Sequence, residues 1–82
     1  MTKILVVDDS NTILPIIKFE LEEYDNSEAY YAKSYKETVR LLREHQGDFH
    51  AAILDLNLPD SSKGEIVQLA NSHNIPSVVL SG

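Results

Sequence analysis

The sequence predicts an α/β fold in which a parallel sheet is built from strands that alternate with helices. Aliphatic runs at residues 4–7, 51–54 and 78–80 are unbroken by polar residues, which is typical of strands buried on both faces. The segments between strands repeat their apolar residues every three or four positions, the period of an amphipathic helix. This alternation specifies a mostly parallel sheet with right-handed crossovers.

The first strand covers residues 4–7 and stops at the acidic pair Asp8 and Asp9. A helix is predicted to follow, because apolar residues then recur at helical spacing. They are Ile13, Ile16, Ile17, Leu21 and Tyr24. Pro15 lacks the N–H that the start of this helix would use, so we expect its first turn to be loose or the helix to begin later.

The next strand, at residues 28–32, is more polar than the first, and Lys33 at its end suits the edge of a sheet. Ser34 and Glu37 have the spacing of a capping box, in which the hydroxyl and the carboxylate each accept a hydrogen bond from a backbone N–H at the start of a helix. Gly47 supplies a stop for that helix.

The third strand, at residues 51–54, is closed by Asp55, and residues 56–62 have the composition of a loop. A short helix with apolar residues on one side follows until residues 71–74, and residues 77–80 form the last strand. A final strand with no helix after it leaves one face of the sheet poorly covered. We therefore expect a fragment, a fold completed by a second copy, or a short version of the fold.

The composition narrows the class of function. Seven Lys and Arg residues against thirteen Asp and Glu residues give a formal net charge of −6, which repels nucleic-acid phosphates and anionic lipid. We expect no direct binding of nucleic acid or membrane. The absence of cysteine excludes a disulfide framework, a thiolate metal site and a cysteine nucleophile. No apolar run is long enough to span a membrane and no secretory signal is found, so a cytoplasmic location is expected.

Polar residues follow three of the predicted strands. Asp8 and Asp9 come after the first strand, Asp55 after the third and Ser81 after the fourth. Chemistry in open α/β sheets collects beyond the carboxyl ends of the strands, so these side chains are expected to converge. Three carboxylates repel one another unless a cation offsets their charge, and Mg²⁺ takes oxygen ligands of this kind.

Each of these residues also has a purely structural interpretation. The pair Asp8 and Asp9 is also explained as a polar strand end that caps the following helix, and Ser81 as an ordinary loop hydroxyl. The functional interpretation is favoured because both acidic positions follow buried-type strands of one parallel sheet and a further strand ends in Ser.

Together these stretches resemble the receiver domain of two-component response regulators. The matching stretches are residues 3–10 (Lys-Ile-Leu-Val-Val-Asp-Asp-Ser), 54–60 (Leu-Asp-Leu-Asn-Leu-Pro-Asp) and 79–82 (Val-Leu-Ser-Gly). The resemblance covers essentially the whole chain and implies a flavodoxin-like parallel sheet with strand order 2-1-3-4-5. Such a domain continues through a fourth helix, a fifth strand and a fifth helix, which the sequence lacks. We therefore expect residues 1–82 to form a receiver domain that is incomplete at its C-terminus.

The resemblance implies a role for each of five residues. Asp55 is similar to the phosphoacceptor, which takes a phosphoryl group from a phosphohistidine of a sensor histidine kinase or a phosphotransfer protein. Asp8 and Asp9, together with Asp55, resemble the carboxylates that hold Mg²⁺, and the backbone carbonyl of Asn57 takes the position of a further ligand. Ser81 corresponds to the hydroxyl that turns to the phosphoryl group on activation.

Other positions match or depart from this pattern. Pro59 and Gly64 match positions that shape the loop after the acceptor strand. The Lys of the fifth strand, which pairs with the phosphoryl group, and the aromatic switch residue of that strand have no counterpart. The resemblance implies a switch that phosphorylates and dephosphorylates itself rather than a metabolic enzyme. We expect weak or no modification of these 82 residues alone.

Two other functions stay open. The first is a degenerate receiver that no longer takes phosphate and serves only as a protein-interaction or dimerisation unit. The second is a Mg²⁺-dependent phosphohydrolase with Asp55 as nucleophile, which is disfavoured because Asn57 stands where that class needs an acid for the leaving group. We expect a homodimer, since the fourth strand would otherwise be an exposed edge. The resemblance implies a fused effector domain as the other possibility.

The histidines are not expected to bind a metal, and the tyrosines are expected to be structural. His45, His50 and His73 lack the spacing of metal ligands. No basic residues interleave with the tyrosines as nucleic-acid recognition would require, so we expect them to pack in the core and at sheet edges. They are Tyr24, Tyr30, Tyr31 and Tyr35.

Overall fold

The computed structural model describes residues 2–9, 27–56, 58–60 and 64–80. In chain order the elements are β1 (Thr2–Val7), β2 (Ser27–Ala32), α1 (Tyr35–Glu44), β3 (Ala51–Asp55), α2 (Glu65–Ser72) and β4 (Ser77–Leu80). The helix predicted after the first strand, with Ile13 to Tyr24 on one face, lies outside these residues. Each of the other predicted elements is found. Neither helix in the described ranges is long and apolar enough to cross a membrane.

The four strands form one parallel sheet in the order β2-β1-β3-β4. β1 pairs on one side with β2, where Ile4 lies opposite Ala29, and on the other side with β3, where Ile4 lies opposite Ala51. β3 in turn pairs with β4, with Ile53 opposite Val78. This is the order expected for the first four strands, and it places the carboxyl ends of all four at one edge.

The interior position of β1 follows from its sequence. Successive side chains of a strand point to opposite faces, and Leu5, Val6 and Val7 are each at most 1% exposed. Both faces of β1 are therefore covered. The more polar β2 lies at the edge, where Glu28 is exposed.

Both helices pack on the same face of the sheet. The core is a cluster of buried apolar side chains: Leu5, Val7, Ala32, Leu42, Phe49, Ala52, Leu54, Leu58, Ile66, Ala70 and Ile75. The residues that β1 and β3 contribute alternate along each strand and so share a face. Leu42 of α1 and Ile66 of α2 lie against that face. Burying an aliphatic side chain of this size contributes roughly 1.5–3 kcal/mol to the free energy of unfolding.

The start of α1 confirms the predicted cap and changes one of its details. The N–H of Glu37 donates to Oγ of Ser34 (3.1 Å), as expected. The carboxylate of Glu37 accepts from the N–H of Lys33 (2.7 Å), one residue earlier than a capping box requires. Thr38 is buried, and its hydroxyl donates to the carbonyl oxygen of Ser34 (2.8 Å). The hydrogen bond from Glu37 satisfies an N–H that a bare helix end would leave unpaired.

The end of α1 uses two residues in the left-handed region. Gln46 and Gly47 have φ angles of 55° and 70°, and the N–H of Gly47 donates to the carbonyl oxygen of Leu42 (2.8 Å). This is the wrapped helix end for which glycine is favoured. A β-carbon on Gly47 would lie 3.1 Å from Cδ2 of His73, at the end of α2. Gly47 therefore has two roles: it adopts the left-handed conformation of the turn, and its lack of a side chain leaves room for His73 at the end of α2.

Candidate functional site

Three carboxylates meet at the edge of the sheet where β1 and β3 end. One oxygen atom from each of Asp8, Asp9 and Asp55 lies within 4.8 Å of the other two. Asp55 is the last residue of β3, and Asp8 and Asp9 follow β1 directly. Because β1 and β3 are adjacent and parallel, residues distant in the sequence come together here. We call these three residues the carboxylate cluster.

Regular backbone pairing holds two members of the cluster. The N–H of Asp8 donates to the carbonyl oxygen of Ala32 (3.0 Å), which continues the pairing of β1 with β2 one residue beyond β1. Asp55 is paired with Leu80 of β4. The carboxylates are therefore presented by strands rather than by a free loop, which favours a fixed geometry.

The members of the cluster differ in their exposure to water. Asp8 is only 4% exposed and Asp55 is partly buried, whereas Asp9 is exposed. Taking a carboxylate out of water is unfavourable unless hydrogen bonds, a counter-charge or a metal stabilise it. The cluster thus combines a sheltered acid with one that solvent reaches directly.

The donor set of the cluster fits a hard divalent cation. In the part of the chain that the structure describes, this is the group of acidic or histidine side chains close enough to share an ion. All three donors are carboxylate oxygens, and Mg²⁺ binds proteins through one or two such groups with water completing its octahedron. A bound cation would also offset the repulsion among the three negative charges.

Two of the predicted site residues fall outside the described ranges. They are Asn57, expected to offer a backbone carbonyl, and Ser81, expected to sense the phosphoryl group. Their roles stay predictions. Their sequence neighbours Leu56 and Leu80 are described, and Leu80 is the partner of Asp55 in the sheet.

The loop after β3 is tied to the start of α1 by Asp60, a contact that the sequence did not predict. The N–H groups of Tyr35 and Lys36 donate to the two carboxylate oxygens of Asp60, at 2.7 Å and 3.1 Å. The hydrogen bond from Tyr35 is the main reason that the pKa of Asp60 is lowered from its ordinary value, and the positive charge of Lys36 acts in the same direction. Asp60 thus caps a helix from another part of the chain.

Two further described residues in the segment between β3 and α2 have distinct structural features. Leu58, which the sequence placed in a polar loop, is buried with 3% exposure and belongs to the core. Gly64 precedes α2 with a φ of 78°, a conformation that favours glycine. Pro59 between them is exposed. The expectation that Gly64 shapes this loop agrees with its backbone conformation.

The three histidines make structural contacts. The ring of His45 lies 4.4 Å from the ring of Tyr30 and 5.3 Å from that of Phe49, measured between centroids. The N–H of Lys3 donates to Nδ1 of His50 (3.0 Å). His73 lies at the end of α2, with Nδ1 3.0 Å from the carbonyl oxygen of Leu69. Each histidine therefore takes part in packing or hydrogen bonding within the described fold.

Comparison with known proteins gives one informative match. Neither a protein-family model nor a curated protein sequence matches this chain. Among solved structures, the chain is similar to a mutant of the response regulator MaeR bound to sulfate, with a TM-score of 0.84. The match covers 99% of this chain and 67% of the MaeR chain at 17% sequence identity.

This match identifies the fold. At 17% identity, what the two chains share is the arrangement of strands and helices rather than the sequence. The four-stranded parallel sheet with its helices has the architecture of a flavodoxin-like receiver domain over two thirds of its length. The fold expected from the sequence is therefore confirmed.

Proposed function

We propose that this chain is a phosphoacceptor signalling module in which Asp55 takes a phosphoryl group from a phosphohistidine of a sensor kinase or phosphotransfer protein. The observation that carries the proposal is the carboxylate cluster at the carboxyl edge of a receiver fold. A switch of this kind is reset by hydrolysis of its acyl phosphate, so it would act as a timed signal in the cytoplasm rather than as a metabolic enzyme.

In this proposal Asp55 is the nucleophile. One of its carboxylate oxygens forms a bond to phosphorus while the bond from phosphorus to the donor imidazole breaks, and the electron pair of that bond returns to the imidazole nitrogen. A carboxylate is a weak nucleophile, so the reaction depends on alignment and on stabilisation of negative charge. The position of Asp55 at the end of a paired strand, β3, supports such an alignment. Ser81 is assigned to the phosphoryl oxygens by the resemblance.

Asp8, Asp9 and Asp55 are the residues that would hold Mg²⁺, and the resemblance adds the backbone carbonyl of Asn57. The ion, when bound, supplies positive charge that draws the phosphoryl oxygens and the carboxylate together. Of these carboxylates, Asp8 is sheltered and Asp9 is open to solvent.

Phosphorylation by acetyl phosphate, a small phosphoryl donor, tests the proposal. We expect Mg²⁺-dependent addition of one phosphoryl group to Asp55, detected by mass spectrometry of the intact chain and its peptides. The occupancy should be low when these 82 residues are tested alone, because the fifth-strand Lys that pairs with the phosphoryl group in receiver domains is not among them. Asp55→Asn should remove the label, and omission of Mg²⁺ should do the same.

Asp48→Asn is the matched control for this experiment. It makes the same chemical change at an exposed carboxylate outside the cluster, whose described ion pair is with Lys3 (3.6 Å). It should leave the label unchanged. A label that survives Asp55→Asn, or that is found on a histidine, would contradict the proposal.

The second candidate is a receiver that serves as a dimerisation unit, and the exposure of β4 favours it. Val78 and Val79 are 62% and 40% exposed, although successive residues of a strand point to opposite faces. In the described part of the chain, β4 pairs with β3 and with no other strand. An apolar edge of this kind is a template for pairing with a second copy of the chain.

A further inference from the structure

A groove of about 580 Å³ runs along α1. Its lining residues are Tyr35, Lys36, Glu37, Val39, Arg40 and Arg43. Lys36, Arg40 and Arg43 are exposed, and their spacing of four and three residues places them in one row on the helix. We call them the cationic row. Tyr35 and Val39 are half-buried and lie beside this row, toward the sheet.

A second cavity, of about 260 Å³, continues the groove toward α2. Its lining residues are Val39, Leu42, Arg43, Gln46, Leu69 and His73. Because Val39 and Arg43 line both spaces, the two form one surface, which we call the α1–α2 groove. Leu42 and Leu69 extend its apolar floor from one helix to the other.

The basic residues of this acidic chain are concentrated at the groove. Four of its seven Lys and Arg residues, but one of its thirteen acidic residues, lie in residues 33–43. That acidic residue, Glu37, accepts a hydrogen bond from the N–H of Lys33 at 2.7 Å. Arg40 pairs with Glu44 only at 3.8 Å, and both side chains are more than half exposed. Such a pair contributes little and is readily exchanged for another carboxylate.

We propose that the α1–α2 groove docks an acidic amphipathic segment of another protein. The apolar floor would receive apolar side chains of the segment, and the cationic row would pair with its carboxylates. Nucleic acid fits less well, because a phosphate backbone has no apolar side chains to place on the floor formed by Val39, Leu42 and Leu69. A second copy is assigned instead to the edge at β4, where Val78 and Val79 are exposed. The groove does not include the carboxylate cluster, so docking is independent of the proposed phosphotransfer.

A synthetic helical peptide of Glu and Leu, with Leu at spacings of three and four residues, is the probe for this groove. Fluorescence anisotropy of the labelled peptide measures binding to the 82-residue chain, and amide shifts locate it. We expect binding that raised salt weakens, with shifts concentrated in residues 35–46. A scrambled peptide of the same composition should bind at least about ten-fold more weakly, because it cannot present one apolar face.

Two double variants change the net charge of the chain by the same amount. They test whether peptide binding depends on the cationic row itself or on the overall charge. Arg40→Gln with Arg43→Gln should weaken peptide binding about ten-fold, the loss expected for two exposed ion pairs. Gln68→Glu with Asn71→Asp makes the chain equally more acidic at exposed positions of α2 outside the lining of the groove. This control should change binding by less than about two-fold. The amide spectra of both variants report whether they are folded.

Several results would overturn the proposal. They are equal weakening by the two double variants, equal binding of the scrambled peptide, and amide shifts confined to other elements. Tighter binding of a DNA duplex than of the peptide would assign the groove to nucleic acid. Self-association that Arg40→Gln with Arg43→Gln abolishes would assign it to a second copy.

Discussion

At the scale of single residues, Asp60 shows a helix cap supplied from a distant part of the chain. A helix start leaves backbone N–H groups unpaired, and a residue just before the helix usually accepts from one of them. Here Ser34 does so for Glu37, while Asp60 accepts from Tyr35 and Lys36. The charge of the carboxylate also interacts favourably with the positive end of the helix dipole. Two loops are thereby held together at the start of α1.

The cap by Asp60 should make stability depend on pH. Because folding lowers the pKa of Asp60 from its ordinary value of 3.8, the ionised carboxylate stabilises the fold above that value. The contribution is lost as pH falls through the lowered pKa. We expect Asp60→Ala to lower the urea midpoint of unfolding at pH 7, with the difference from the unaltered chain shrinking in acid.

The effect should be modest, because Asp60 is exposed and water screens its charge. Asp48→Ala is the control, since Asp48 is exposed and has no part in the described helix cap. Equal urea midpoints for Asp60→Ala and the unaltered chain at pH 7 would show that the hydrogen bonds to Tyr35 and Lys36 add nothing to stability.

The local cap was predictable and the distant one was not. Ser34 and Glu37 are three residues apart, and this spacing alone is enough to predict the hydrogen bond between them. Asp60 lies 24 residues from Lys36, and nothing in the composition of a polar loop says which helix its carboxylate will reach. The sequence also allowed Leu58 to be a loop residue, because a single apolar side chain has no period that indicates burial.

At the scale of elements, the two helices are joined at their C-terminal ends. α1 ends in a left-handed turn at Gln46 and Gly47, and His73 packs directly on Gly47. The sequence predicted that Gly47 would stop the helix, because glycine adopts this conformation without steric cost. It did not predict that the ring of His73 would occupy the space that a side chain at position 47 would need.

Substitution at this turn should have opposite effects at neighbouring positions. Gly47→Ala should lower the free energy of unfolding by about 1–2 kcal/mol, because alanine is strained in the left-handed conformation. The close contact with His73 should add to this loss. Adding His73→Ala should recover the part due to that contact. Gln46→Gly should instead raise stability by up to about 1 kcal/mol, since Gln46 already has a φ of 55°.

Urea unfolding of the four chains measures these differences. If Gly47→Ala were as stable as the unaltered chain, the positive φ and the close approach of His73 would have no energetic weight. An equal loss with and without His73→Ala would assign the whole cost to the backbone.

At the scale of the whole molecule, the sheet order was predictable and the surface was not. The resemblance to receiver domains implied the order 2-1-3-4 for these strands, and the structure adopts it. The polar sequence of β2 agrees with its position at the edge. The carboxylate cluster follows from that order, because parallel strands end at one edge. The α1–α2 groove depends on how two helices lie beside each other, and periodicity within each helix does not contain that information.

The exposed edge at β4 leads to a prediction about assembly. Val78 and Val79 leave apolar surface on both faces of this strand, and burying each would contribute roughly 1.5–3 kcal/mol. We expect a concentration-dependent homodimer by sedimentation equilibrium. Val78→Lys should weaken it at least about ten-fold, because the substitution removes apolar area and places a charge on an edge.

Gln68→Lys is the control for this prediction. It adds the same charge at an exposed position of α2, and dimerisation should be unaffected. A monomer with dispersed amide signals at every concentration would mean that β4 is stable as an open edge.

Because β1 is buried on both faces, its apolar residues would fit nearly as well if the strand slid by one position. The acidic pair at the end of β1 distinguishes the observed alignment from the shifted one. In the observed alignment Asp8 is sheltered beside Ala32 and Asp9 is exposed to water. Sliding by one residue would bury Asp9, a second carboxylate, at considerable cost. We therefore expect the acidic pair to disfavour this shifted alignment of β1, in addition to any role in binding. A one-residue deletion in β1 would disturb both roles at once.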